Sequence, residues 1–161
     1  MTSRTAATLP DVEPSVTVLA SDSDVAHAIH ALAVDHVLRS GGDAYWIDPG
    51  THAQTGPVVE LAPSDRTLGR VRVVRAFTPF QHHQLLRSLP DLQHRETALV
   101  VVPELGRYYR TDEILAGEGQ ELLLGGLASL AGLARRRDTP VLVTRQTIRS
   151  VSRLPTRRDR P

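Results

Sequence analysis

Short apolar runs alternate with longer amphipathic segments along this chain, and the alternation predicts most of its elements. Val16-Thr17-Val18-Leu19-Ala20 is β-branched and apolar and reads as a strand. Ser21-Asp22-Ser23-Asp24 offers helix-capping oxygens, and Val25, Ile29, Leu32 and Val37 then fall on one face of a helix that Gly41-Gly42 ends. Ala44-Tyr45-Trp46-Ile47 is a second buried strand by composition, closed by the turn signal Asp48-Pro49-Gly50. The stretch Thr51–Gly69 is punctuated by Pro and Gly, with a weak strand at most at Val58–Leu61. Val71-Arg72-Val73-Val74 predicts a third strand, and Phe80–Leu89 a short helix stopped by Pro90. Ala98-Leu99-Val100-Val101-Val102 is the most apolar run and predicts a central strand buried on both faces. A helix over about Glu118–Arg136, with Leu122, Leu123, Leu127, Leu130 and Leu133 inward, precedes a last strand at Val141-Leu142-Val143.

Strands alternating with helices predict an α/β domain: a largely parallel sheet with helices on both faces, joined by right-handed crossovers. Residues 1–14 read as a loose polar lead-in, 15–149 as the domain and 150–161 as a basic tail. A hydrophobic fraction of 40% and a charged fraction of 23% are those of a chain that folds around a core.

There is no cysteine, which excludes disulfides and every thiolate-based metal or nucleophilic site. No apolar run approaches the ~20 residues of a membrane span, and Met1–Glu13 lacks the apolar centre of a secretory signal. A cytoplasmic protein without a membrane partner is the simplest reading. Every basic side chain is arginine. The net charge of +1 conceals a gradient: residues 1–70 hold four Arg against nine acids, and residues 145–161 six Arg against one.

Three stretches, in order, resemble the core domain of the RecA/RadA recombinase family. Arg75-Ala76-Phe77-Thr78 with Gln84-Leu85-Leu86 is similar to that family's strand-to-helix segment. Ala98–Asp112, ALVVVPELGRYYRTD, matches its Walker B strand and the start of its first DNA-binding loop without a gap, Tyr109-Arg110-Thr111-Asp112 being the most specific part. Val141-Leu142-Val143-Thr144-Arg145-Gln146 lies where the family has a strand ending in Thr-Asn-Gln. The resemblance runs from about Val16 to Arg149 and implies a RecA-like, P-loop NTPase-type fold.

The same resemblance implies a dismantled nucleotide site. Leu19–Ala26, LASDSDVA, falls where GxxxxGK[ST] belongs, so Leu19 and Asp24 stand at glycine positions, Val25 at the lysine and Ala26 at the magnesium-binding hydroxyl. Asp22 and Asp24 set carboxylates where phosphate would bind, and each like-charge contact costs ~4 kcal/mol at ~4 Å and an effective dielectric of ~20. The Walker B aspartate corresponds to Pro103 and the catalytic glutamate to Gly50. Asp48 and Glu104 are nearby carboxylates that read better as polar groups at a turn and a strand end. No catalytic residue, cofactor or metal is implied, and the chain reads as a pseudo-ATPase.

What remains is binding chemistry. Arg107, Tyr108, Tyr109 and Arg110 in the first loop combine guanidinium with planar rings, a single-strand footprint. The alternative is that Tyr109 packs under the loop and the arginines are solvated. Arg145, Arg149 and Arg153 continue the basic character at four-residue steps until Pro155, and the tail could equally serve only to keep the chain in solution. Seven histidines, His27, His30 and His82-His83 among them, have no third ligand at a metal-binding spacing and read as caps and surface. Met1–Ser15 contains no Phe of the kind that links recombinase protomers. The resemblance therefore implies an accessory protein of DNA recombination and repair, with single-stranded DNA and a RecA/RadA-type recombinase or another paralogue as partners. A protein-interaction subunit without DNA binding and a residual ATP-binding ATPase are the competing functions.

Overall fold

Parallel neighbours cannot be joined by a hairpin, so each pair of strands demands a crossover, and the direction of the crossover decides which face its helix covers. A computed structural model describes residues 14–21, 25–48, 63–92, 96–110 and 114–146. In it β1 (Val16–Ser21), β2 (Asp43–Asp48), β3 (Val71–Arg75), β4 (Thr97–Val102) and β5 (Val141–Gln146) form one all-parallel sheet in the order β1-β5-β4-β2-β3. The connection from β1 passes β5 and β4 to reach β2 and carries α1 (Val25–Ser40); α2 (Asp65–Leu68), before β3, touches α1. After β3 the chain reverses direction. α3 (Pro79–Leu92) and α4 (Ala116–Arg137) therefore lie together on the opposite face. This is the expected α/β class, an all-parallel sheet covered on both faces, consistent with RecA-like or Rossmann-type architecture.

The two cores follow from the two-residue period of a strand. Tyr45, Ile47, Val100, Val102, Val141 and Val143 point to the side of α3 and α4, where they meet Leu86, Leu89, Leu130, Leu133 and Ala134. Their neighbours Ala44, Trp46, Leu99, Val101 and Leu142 point the other way, onto Ile29, Leu32, Ala33 and Val37 of α1. Leu99 through Val102 of β4 are fully buried, as a central strand covered on both sides requires.

Two helix ends differ from the sequence expectation. α3 starts at Pro79, where the fixed φ of proline suits the first helical position and no N–H is lost. Thr78 caps it: the Gln81 N–H donates to Thr78 Oγ1 at 3.1 Å, and the Phe77 N–H donates back to Gln81 Oε1 at 3.0 Å. Its other end runs past Pro90 instead of stopping there. A proline so close to the C-terminus removes only one helical hydrogen bond, and its own carbonyl accepts from Arg137 Nη2 at 3.1 Å. The four-residue α2 and a 3₁₀ turn at Arg107–Arg110 are too short to leave a periodic signal. The weak strand considered at Val58–Leu61 and the basic tail lie outside the described residues. Among the described residues no helix is long and apolar enough to cross a membrane.

α1 ends as Gly41-Gly42 predicts. Gly41 takes φ +72° and its N–H donates to Val37 O at 3.0 Å. Gly42 is there for space: a Cβ would lie 2.5 Å from Glu96 O and 2.7 Å from Ala98 Cβ. Gly42→Ala should therefore lower unfolding stability by about 2–3 kcal/mol through overpacking against backbone, and Gly41→Ala by about 1 kcal/mol through the left-handed φ alone. Urea denaturation of the two variants checks the order.

Candidate functional site at the carboxyl edge of the sheet

A buried strand can end only where its next backbone N–H groups find new acceptors. Beyond Val102 comes Pro103, which has no N–H, and then Glu104, whose φ of +49° turns the chain sharply. The Glu104 N–H donates to Thr144 Oγ1 at 2.8 Å and the Leu105 N–H to Thr144 O at 3.1 Å. Thr144 is itself buried near the end of β5, so one residue fastens the turn after β4 to the neighbouring strand. Arg107 N–H then donates to Glu104 O at 3.0 Å, and Arg107 Nη1 reaches Glu104 Oε2 at 2.8 Å.

The 3₁₀ turn divides its four residues by direction. Arg107 and Arg110 are exposed, whereas Tyr108 and Tyr109 are buried. Tyr108 donates its hydroxyl to the carbonyl of Ala76, just past the end of β3. Tyr109 Oη lies 2.8 Å from Nδ1 of His82 on α3, with donor and acceptor set by the histidine tautomer. The rings of both tyrosines contact the imidazole, with centroids 5.4 and 5.7 Å away. Burial raises the pKa of both phenols, and for Tyr108 the charge of Asp48 raises it further while Arg107 opposes. Both are neutral phenols at neutral pH.

The expectation placed these rings where they could stack on bases; in the fold both pack inward, the alternative open for Tyr109. His82 is corrected as well, since it is 0% exposed rather than on the surface. Among the described residues its Nε2 has no hydrogen-bond partner, and its pKa falls to about 4, first through burial and then through His83. His30 is also buried, stacked on Trp46 at 4.6 Å.

At the end of β2, Asp48 is 2% exposed and Arg75 Nε approaches its Oδ2 at 3.3 Å. This is a charge pair without hydrogen-bond alignment, and among the described residues Oδ2 has no hydrogen-bond partner. β2 and β4 are neighbours; the short α2 ahead of β3 touches α1 on one face, whereas α4, which follows β4, lies on the other, so Asp48 and Pro103 flank the switch point of the sheet, the usual place for a ligand in an open α/β fold. Arg145 is exposed at the end of β5, and Leu19 of β1 pairs in register with Thr144. Val25 and Ala26 open α1. Asp22, Asp24, Gly50, Arg149 and Arg153 lie outside the described residues.

No family model and no curated protein matches this chain. The structure brings Leu19, Pro103, Arg107, Arg110 and Arg145 to one edge of the sheet. Sequence reasoning missed His82 and Arg75, whose only signals were a histidine in a helical pattern and an arginine ending a strand. No group of three or more potential metal ligands occurs among the described residues.

The buried imidazole carries a sign-definite prediction. With its folded pKa depressed from 6.5 to about 4, His82 stays neutral while the unfolded chain takes up a proton. Stability is full above pH ~6.5 and falls by about 3 kcal/mol as the pH drops through ~4. His82→Phe should flatten this acid limb, measured by urea titration between those two pH values.

Proposed function

We propose that this chain is a non-hydrolysing RecA/RadA-like accessory protein of DNA recombination and repair, cytoplasmic, that binds single-stranded DNA and docks on a recombinase-type partner. The observation that carries the DNA reading is the Thr144 fastening. It fixes the turn that bears Arg107 and Arg110 against β5, whose next-to-last residue is Arg145, so guanidinium groups from a turn and from a neighbouring strand share one edge. Among the described residues neither Arg110 nor Arg145 forms an ion pair with a carboxylate, which leaves both able to meet phosphate. The non-hydrolysing reading is supported by Pro103 where β4 ends, a residue that offers no carboxylate to a magnesium ion.

A protein-interaction subunit without DNA binding is favoured by a different observation, the burial of Tyr108 and Tyr109, which withdraws the two rings that such a loop would offer to bases. Fluorescence anisotropy with a labelled oligo(dT) at two salt concentrations separates the two. The DNA reading expects binding at low salt with a log–log slope that becomes shallower by about 1.4 when Arg110 and Arg145 are replaced by alanine, roughly 0.7 per lost phosphate contact. Absence of binding at low salt removes the DNA function. Titration with labelled ATP should give no saturable binding below the millimolar range, and a micromolar Kd would end the pseudo-ATPase reading.

A further inference from the structure

Both phenylalanines of the chain are on the surface. Phe77 is 69% exposed just past the end of β3, and Phe80 is 55% exposed in the first turn of α3. Neither is left loose: the Phe77 N–H is held by Gln81 Oε1 at 3.0 Å, Gln81 N–H by Thr78 Oγ1 at 3.1 Å, and Pro79 between the two rings fixes its own φ. The backbone entropy of presenting the rings has thus been spent in folding.

These rings also belong to the arginine edge. Phe77 follows Ala76, whose carbonyl receives the hydroxyl of Tyr108, and Tyr108 follows Arg107 in the 3₁₀ turn. Arg75, half exposed, stands on the other side of Ala76. From the end of β5 with Arg145 to the end of β3 with Phe77 is three strand spacings, about 14 Å. Guanidinium groups at one end and flat apolar rings at the other, on a rigid edge of that width, fit a charged backbone whose bases need faces to stack on.

We propose that Phe77 and Phe80 are the base-stacking platform of this edge for single-stranded nucleic acid, in place of the buried tyrosines. The proposal rests on the single-strand reading above and adds to it the groups that tell a strand with bases from a bare polyanion. A bare polyphosphate has no ring to stack, so the phenyl groups discriminate against it and the arginines do not.

The test compares a labelled oligo(dT) with an abasic oligonucleotide of equal length on the full chain and on Phe77→Ala, Phe80→Ala and the double variant, with Trp46 emission confirming that each is folded. The wild type should favour oligo(dT), each substitution should weaken it by about tenfold, and affinity for the abasic strand and its salt slope should not change. Equal binding of both strands by the wild type, or undiminished oligo(dT) binding by the double variant, overturns the stacking proposal and leaves the arginine reading standing. Binding of neither strand overturns both. A double variant that keeps DNA binding but loses capture of a recombinase would assign the rings to a protein partner and also sink the proposal.

Discussion

The hydroxyl and carbonyl of Thr144 accept the first two N–H groups that follow the most deeply buried strand of the sheet. Pro103 supplies none, so Glu104 and Leu105 must turn toward β5 at once, and the backbone of Glu104 adopts a left-handed conformation to do so. A non-glycine residue there costs on the order of 1 kcal/mol, which the two hydrogen bonds to Thr144 and the ion pair of Glu104 with Arg107 offset. The position and direction of the whole 3₁₀ turn follow from this one attachment.

The turn is then held from beneath by its own aromatic pair. Tyr108 reaches the end of β3 and Tyr109 reaches α3, so the loop after β4 is tied to three other elements at once: β5, the β3 end and α3. Only the arginines remain outside. Tethering of this kind turns a loop, ordinarily the most adaptable part of an α/β domain, into a rigid presenter of charge. A neutral buried His82 is part of the same arrangement, because an imidazolium at that place would be a buried charge with one nitrogen unsatisfied.

The sheet was largely legible in the sequence because its signals are local. Val16–Ala20, Ala44–Ile47, Val71–Val74, Ala98–Val102 and Val141–Val143 are short apolar runs bounded by turn residues, and each is a strand. Helix ends were less legible where a single residue has two physical readings: Pro90 forbids one hydrogen bond, but whether that stops a helix depends on how near its end lies. The direction in which the aromatic rings of the turn point was not legible. Tyr108 and Tyr109 alternate with Arg107 and Arg110 in a pattern that suits either stacking or packing, and only the third dimension places Ala76 and His82 beneath them. Conversely, nothing local distinguishes Phe77 and Phe80 from core residues.

The strand order carries a further consequence for how the chain is made. Among the described residues β1 has one strand neighbour, β5, which comes last of the five strands in chain order. During synthesis β1 waits with an unsatisfied edge while β2, β3 and β4 can already associate, and the gap closes only when residues 141–146 slide between β1 and β4. The longest-range pairing is thus the final one. The nascent chain is exposed to aggregation along Val16–Ser21 until residues 141–146 have been made, a window in which a chaperone gains most by covering that segment.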